Sequence, residues 1–180
     1  MIRTFIALPI PEDLRPRLTL LQALLPLPAR VEPADFHLTL AFLGEQPEHV
    51  LQDLHEGLEA MQMPAFLLEL CAVNAFGGAK PRAVWAGVVP SEPLLRLQAK
   101  VAQVAVRAGI TIKAKGFTPH VTLGRFPPPP PDHAARLEAA MVAQQGFRAG
   151  PWSVTELTLY ASHPKARGPL YEPMASYPLG

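Results

Sequence analysis

The sequence predicts an α+β protein in which two antiparallel β-sheets carry helices on their outer side. Three observations lead there. Short apolar runs recur between Gly and Pro turn signals, as strands do. Segments with apolar residues at helical spacing lie between those runs. The stretch Phe36–Gly44, with its core His37-Leu38-Thr39-Leu40, is partly echoed half a chain later by Pro119–Phe126, with His120-Val121-Thr122-Leu123. Each copy is followed by a helix and a pair of strands, the order expected of an internal duplication.

The elements follow in chain order. Ile2 to Leu8 is a short apolar strand closed by Pro9. Pro11-Glu12-Asp13 starts a helix to about Leu25, with Pro16 disturbing its first turn, and Pro26-Leu27-Pro28 stops it. The first His-Thr strand ends at Gly44, and Gln46-Pro47-Glu48 opens a second helix to about Met61. Ala65 to Ala75 and Ala83 to Val89 read as strands joined by the turn Gly77–Arg82. Ser91 caps a third helix whose apolar face is Leu94, Leu97, Val101, Val104 and Ala105, and Gly109 ends it. A strand at Ile110–Ile112 is expected to lead through Lys113 and Lys115 to the second His-Thr strand. The five prolines 127–131 read as a stiff surface spacer. Asp132 is expected to cap a fourth helix to about Gln145, and strands at Ser153–Ser162 and Leu170–Tyr177 close the chain.

Bulk properties bound the function. A chain of 180 residues fits one domain or two small lobes sharing a core. With 49% hydrophobic and 17% charged residues, it belongs with folded globules rather than disordered chains. A formal net charge of +1 supplies no global field toward nucleic acid or anionic lipid, so any polyanion must be gripped locally. The lone cysteine, Cys71, excludes an internal disulfide and a Cys-based zinc cage. It lies in the apolar run Leu67–Val73, where an inert buried thiol is expected. No leader-like segment or run of membrane-spanning length is evident, so a soluble cytoplasmic protein without membrane partners is expected.

The paired motif carries the chemistry. In an extended chain residues i and i+2 share a face, so His37 and Thr39 point one way, as do His120 and Thr122. Leu38, Leu40, Val121 and Leu123 turn to the other face. One His-x-Thr is weak testimony, since both residues are common in half-buried strands. Two copies are harder to dismiss, because burying imidazole and hydroxyl together costs free energy unless they find partners. Side by side, the strands would set two imidazoles and two hydroxyls around one cavity, an inventory for acid–base chemistry on an anion without metal or cofactor. A zinc site is the weaker reading: Asp35 could share the face of His37, but Thr118 and Pro119 precede His120, and a third ligand is missing. His49, His55, His133 and His163 are expected on solvated surface.

These residues resemble a known family. His37-Leu38-Thr39-Leu40 followed by Phe42-Leu43-Gly44, and Phe117-Thr118-Pro119-His120-Val121-Thr122-Leu123 followed by Arg125, are similar to the paired motifs of the two-histidine phosphoesterases. The likeness is greatest to their LigT-like branch, the RNA 2′,3′-cyclic phosphodiesterases also described as 2′-5′ RNA ligases. Arg3–Leu8, Arg82–Val88 and Leu157–Ser162, with Gly168 and Tyr171, resemble further strands of that family. One departure stands out: Ala29-Arg30-Val31 replaces the family's usual Arg-Trp-Val, so base stacking assigned elsewhere to that ring has no counterpart here.

The resemblance implies a single bilobal domain over residues 1–180, pseudo-twofold, with both motifs lining a central groove. It implies hydrolysis of RNA 2′,3′-cyclic phosphate ends to 2′-phosphomonoesters, with His37 as general acid and His120 as general base. Thr39, Thr122 and Arg125 would hold the phosphate, with no metal or cofactor and with the protein a monomer. Alternatives are ATP-independent 2′-5′ ligation of tRNA-half-type ends, or a non-catalytic RNA-end binder. Arg125 raises a geometric question. Three residues past Thr122, a regular strand turns it to the opposite face, so the strand must bulge near Gly124 or end there. Phe42 holds the same offset in the first motif, and either the core or an RNA base would receive it, with the core expected. Lys80, Arg82, Lys113 and Lys115 are the remaining candidates for RNA contact.

Overall fold

The computed structural model describes residues 1–113 and 116–180. Its strands are β1 (Ile2–Pro9), β2 (His37–Gln46), β3 (Phe66–Phe76), β4 (Ala83–Val88), β5 (His120–Arg125), β6 (Arg148–Val154), β7 (Glu156–His163) and β8 (Leu170–Pro178). Its helices are α1 (Arg15–Ala23), α2 (Glu48–Glu59), α3 (Glu92–Arg107) and α4 (Pro131–Ala143), with a 3-10 turn at Pro33–Asp35.

The strands run in the order β6-β3-β4-β5-β2-β1-β7-β8, and every neighbouring pair is antiparallel. The α+β class therefore stands, with a refinement of the two expected sheets. They are two four-stranded halves, β6-β3-β4-β5 and β2-β1-β7-β8, joined where β2 meets β5 at the single pair Leu38↔Val121. Each motif strand is the inner edge of its half. One eight-stranded sheet results, and the two motifs meet at its seam.

Burial divides the faces. Leu38, Leu40, Val121 and Leu123 are all at most 3% exposed and join a core with Leu18 and Leu21 of α1 and Leu94 and Leu97 of α3. His37, Thr39, His120 and Thr122 are half-buried on the opposite face. That alternation is the period of two expected of strands whose one side is core.

Local departures from the sequence expectations have physical causes. Helix α1 begins only at Arg15, so that Pro16 falls in the first turn, where its missing N–H costs nothing. Helix α3 begins as expected, with Ser91 Oγ accepting from Leu94 N at 3.3 Å. Helix α4 starts at Pro131, and Asp132 lies in its first turn without a side-chain cap bond. No strand forms at Ile110–Ile112. Ile110 instead closes the end of α3, its N–H bonding Ala105 O at 3.0 Å while its side chain is buried. The unforeseen strand β6 contains Gly150-Pro151, residues that argue against a strand. It is an edge strand with a register irregularity between Leu68 and Leu70 of its partner, the setting in which proline is tolerated. Cys71 is half-buried on β3. Among the described residues, no helix is long and apolar enough to cross a membrane.

Candidate active site

The seam decides what the motif side chains can do together. With Leu38 opposite Val121 in an antiparallel ladder, one step outward sets His37 level with Thr122 and His120 level with Thr39. The two imidazoles are then diagonal neighbours, with stems roughly 7–8 Å apart by ordinary sheet geometry.

Each ring is oriented the same way. His37 Nδ1 bonds Asp35 O at 2.6 Å, and His120 Nδ1 bonds Thr118 O at 2.7 Å. A carbonyl only accepts, so each Nδ1 carries the proton and each Nε2 is left with its lone pair in the neutral ring. Among the described residues, neither Nε2 has a protein partner, and neither the Thr39 nor the Thr122 hydroxyl bonds to protein. The result is two acceptors and two hydroxyl donors about a seam with local twofold character.

Aromatic walls surround both imidazoles. The rings of Phe5 and Tyr171 lie 5.1 and 5.2 Å from His37, that of Tyr171 edge-on. Tyr160 lies 6.3 Å away and stacks on Phe5. On the other side, Phe76 meets His120 edge-on at 5.0 Å and Trp85 lies at 5.5 Å. These walls cover part of each ring, and burial lowers the pKa of both histidines from the ordinary imidazole value. The Asp35 carbonyl and carboxylate pull His37 back up, while Arg125 and His120 push it down. For His120, Thr118 O raises and Arg125 lowers it, with no carboxylate beside it. The near twofold site is therefore electrostatically lopsided, with the negative group on the His37 side. Sequence gives none of the five wall residues a role, although Tyr171 and the segments holding Phe5, Trp85 and Tyr160 carry part of the family resemblance, since they come from β1, β3, β4, β7 and β8 and share no motif.

The question raised by Arg125 has a definite answer. Strand β5 pairs β4 through Ala83↔Arg125 and Val84↔Gly124, and then through Trp85↔Thr122, so Leu123 is an extra residue in a bulge. One extra residue reverses the alternation beyond it. Leu123 and Gly124 both turn to the core, and Arg125 returns to the side of Thr122. Its charge acts on His37, His120 and Tyr171 alike. It is exposed and makes no ion pair among the described residues.

The same device corrects the expectation for Phe42. Strand β2 pairs β1 through Ile6↔Ala41 and then Ala7↔Thr39, which makes Leu40 an extra residue. Phe42 is consequently 66% exposed rather than in the core, opposite Phe5 at 6.3 Å between rings. Lys80 and Arg82 are exposed in the turn before β4, three residues and one residue from Ala83, the partner of Arg125. Lys113 is exposed in the loop before β5, and Lys115 lies outside the described residues.

Of the other histidines, His55 is not plain surface: it is half-buried and its Nδ1 bonds the Tyr177 hydroxyl at 2.9 Å. His163 pairs with Glu172 at 2.9 Å, and His133 bonds Pro26 O at 2.7 Å. Among the described residues no three His, Cys, Asp or Glu side chains come together as metal ligands would. A separate cavity of about 440 Å³ between α2 and α3, lined by Asp53, Gly57, Lys100 and Arg107 among others, is away from the motif strands.

Comparison with known proteins agrees with this geometry. Residues 10–166 match the 2′-5′ RNA ligase superfamily. The chain is 32% identical over 148 residues to a protein of Aeropyrum pernix named RNA 2′,3′-cyclic phosphodiesterase, covering 79% of this chain and 81% of that one. A protein of the same name from Geobacillus stearothermophilus is 31% identical over 162 residues, which is 86% of this chain but only 49% of the relative, so the chain spans about half its length. The crystal structure of Escherichia coli LigT complexed with 3′-AMP superposes with a TM-score of 0.78 at 28% identity, covering 99% of this chain and 98% of that one.

Proposed function

Because the chain belongs to the 2′-5′ RNA ligase superfamily, we propose that it hydrolyses RNA 2′,3′-cyclic phosphodiester ends, the activity named for its relatives. The observation that carries this reading is the matched pair of Nδ1-to-carbonyl bonds, which leaves both Nε2 atoms available across one seam. In-line attack on the ring phosphorus needs a base for the entering water and an acid for the departing oxygen on the far side. Two imidazoles facing each other supply both, each worth roughly 10²–10⁴ in rate.

In this reading His120 Nε2 takes the proton of the attacking water. The new P–O bond forms as the P–O3′ bond breaks, and His37 Nε2–H protonates the leaving 3′-oxygen, so the product is a 2′-phosphomonoester. The local charges support that order of roles. Asp35 favours a proton on His37, whereas nothing comparable stands by His120. The phosphate anion, once bound between the rings, adds to this by stabilising the imidazolium. Thr39 and Thr122 donate to the non-bridging oxygens, and Arg125 balances the charge that builds there in the transition state. Neither the acid–base pair nor the hydroxyls need a metal.

Phe42 offers an exposed face to a base, and Lys80, Arg82 and Lys113 offer scattered charge to the chain beyond it. The test is incubation of the purified protein with an oligonucleotide ending in a 2′,3′-cyclic phosphate, with and without EDTA. Phosphorus NMR should show a 2′-phosphate in both tubes. A 3′-phosphate product refutes the assigned leaving group, loss of turnover on chelation refutes metal independence, and tight binding without turnover refutes catalysis.

A further inference from the structure

Both motif strands owe the direction of their sixth residue, Phe42 or Arg125, to an extra residue, and each extra residue is held by a glutamine from the other half of the chain. Gln22, on α1, is 3% exposed. Its Nε2 donates to Leu123 O at 2.8 Å and to Val31 O at 2.9 Å, while Val31 N donates to the same Leu123 carbonyl at 2.9 Å. Leu123 is the residue that bulges from β5. Gln98, on α3, donates from its Nε2 to Leu40 O at 3.5 Å, and Leu40 bulges from β2. Leu40 and Leu123 hold the same place in the two motifs, three residues past the histidine.

A bulge takes a carbonyl out of the ladder, and a buried carbonyl without a partner is costly. A regular strand would restore the pairing and turn Arg125 and Phe42 to the core face. The Gln98 carboxamide supplies a donor to Leu40 O, and the Gln22 carboxamide adds a second donor to Leu123 O beside Val31 N while tying Val31 O to the bulge, so both reduce that incentive. We infer that Gln22 and Gln98 are positioning residues, each fixing the bulge of the opposite half's motif strand and so aiming Arg125 and Phe42 toward the seam. The clamps cross the near twofold: α1 serves β5 and α3 serves β2, so each half sets the site geometry of the other. Gln22, with a shared acceptor and shorter bonds, is the firmer of the two.

This inference rests on the reading of Arg125 as a phosphate ligand, and a double-mutant cycle separates the two ideas. Gln22→Met keeps length and volume but removes the donor. The full chain, Gln22→Met, Arg125→Ala and the double variant are compared for kcat and KM on a 2′,3′-cyclic dinucleotide, and for affinity toward inorganic phosphate. In the native background Gln22→Met should raise KM and weaken phosphate binding by about tenfold, since a displacement well under that of a full side chain already costs such factors. In the Arg125→Ala background the same change should cost less than about twofold, because the group being aimed is gone. Equal losses in both backgrounds, or none in either, overturn the inference. Absence of turnover in the native protein would overturn the functional reading alone, since the phosphate cycle still tests the clamp. If Gln22→Met does not fold, the half-buried Gln98 offers the same cycle as Gln98→Met against Phe42→Ala, read in KM, and additivity there is again the contrary result.

Discussion

Gly124 gives the site a sharp mechanical test. A Cβ added there would lie 2.4 Å from Ala29 O and 3.4 Å from Leu27 Cδ1. Real carbon–oxygen contacts stay outside about 3.0 Å, so either β5 or the loop carrying Ala29 must give way by at least about half an ångström. The loop cannot yield easily, because Val31 N and Gln22 tie it to Leu123. The displacement therefore falls on β5, between Thr122 and Arg125. Overpacking of this kind costs about 1–3 kcal/mol, which for a chain of this size lowers the melting temperature by roughly 2–12 °C. A shift of half an ångström or more in two phosphate ligands should lower kcat/KM by about ten- to a hundredfold. Gly146→Ala is the control, since nothing lies within 4 Å of its added Cβ. The assay is a thermal melt and steady-state kinetics on a cyclic dinucleotide for both variants, at a temperature where both are folded. Gly124→Ala with native stability and native kcat/KM would refute the packing argument and the bulge it supports.

Other outcomes follow from the same geometry. Thr39→Val and Thr122→Val each remove one hydroxyl donor at nearly constant volume and should lower kcat by about 10²–10³-fold with little change in KM, as loss of an oxyanion donor does; a change confined to KM counts against the assignment. Phe42→Ala should raise KM for oligonucleotides by roughly five- to a hundredfold, about 1–3 kcal/mol of stacking, yet leave kcat nearly unchanged, and equal effects on both constants would contradict a stacking role. Since burial lowers both imidazoles below the ordinary value of about 6.5, kcat/KM should be bell-shaped with both limbs below that pH, and the basic limb of kcat should lie higher because bound phosphate favours the imidazolium. The same burial affects folding. As pH falls below about 6.5 the unfolded chain takes up protons that the folded histidines refuse, so stability declines until the folded histidines also titrate. Unfolding free energies at pH 7 and pH 5 should show the decline, and it should shrink in His37→Asn/His120→Asn; an unchanged decline excludes these residues as its source.

What could be read from the sequence was what depends on local period. His37, Thr39, His120 and Thr122 share a face because alternation needs no knowledge of a partner strand. Ser91 and Gly109 mark the ends of α3 because caps are local chemistry. Local period leaves the direction of Arg125 open and points Phe42 to the core because a bulge belongs to a pair of strands: the extra residues Leu40 and Leu123 exist only relative to β1 and β4. Strand β6 was hidden by Gly150-Pro151, acceptable only at a sheet edge that the sequence does not reveal. Ile110–Ile112 looked like a strand because an apolar triplet after a helix reads the same whether it pairs or packs beneath the helix end. The aromatic walls were invisible because Phe5, Phe76, Trp85, Tyr160 and Tyr171 converge only when five strands are ordered.

The central claim is that two facing imidazoles on one seam act as an acid–base pair on a single cyclic phosphate. The most direct measurement is single-turnover hydrolysis of an oligonucleotide 2′,3′-cyclic phosphate by His37→Ala, His120→Ala and the double variant, with substrate affinity measured in parallel. Each single change should lower the rate by about 10²–10⁴-fold while affinity falls far less, and the double should be little worse than either single, as expected of groups acting as a unit. A variant lacking one imidazole that retains the native rate would contradict the account.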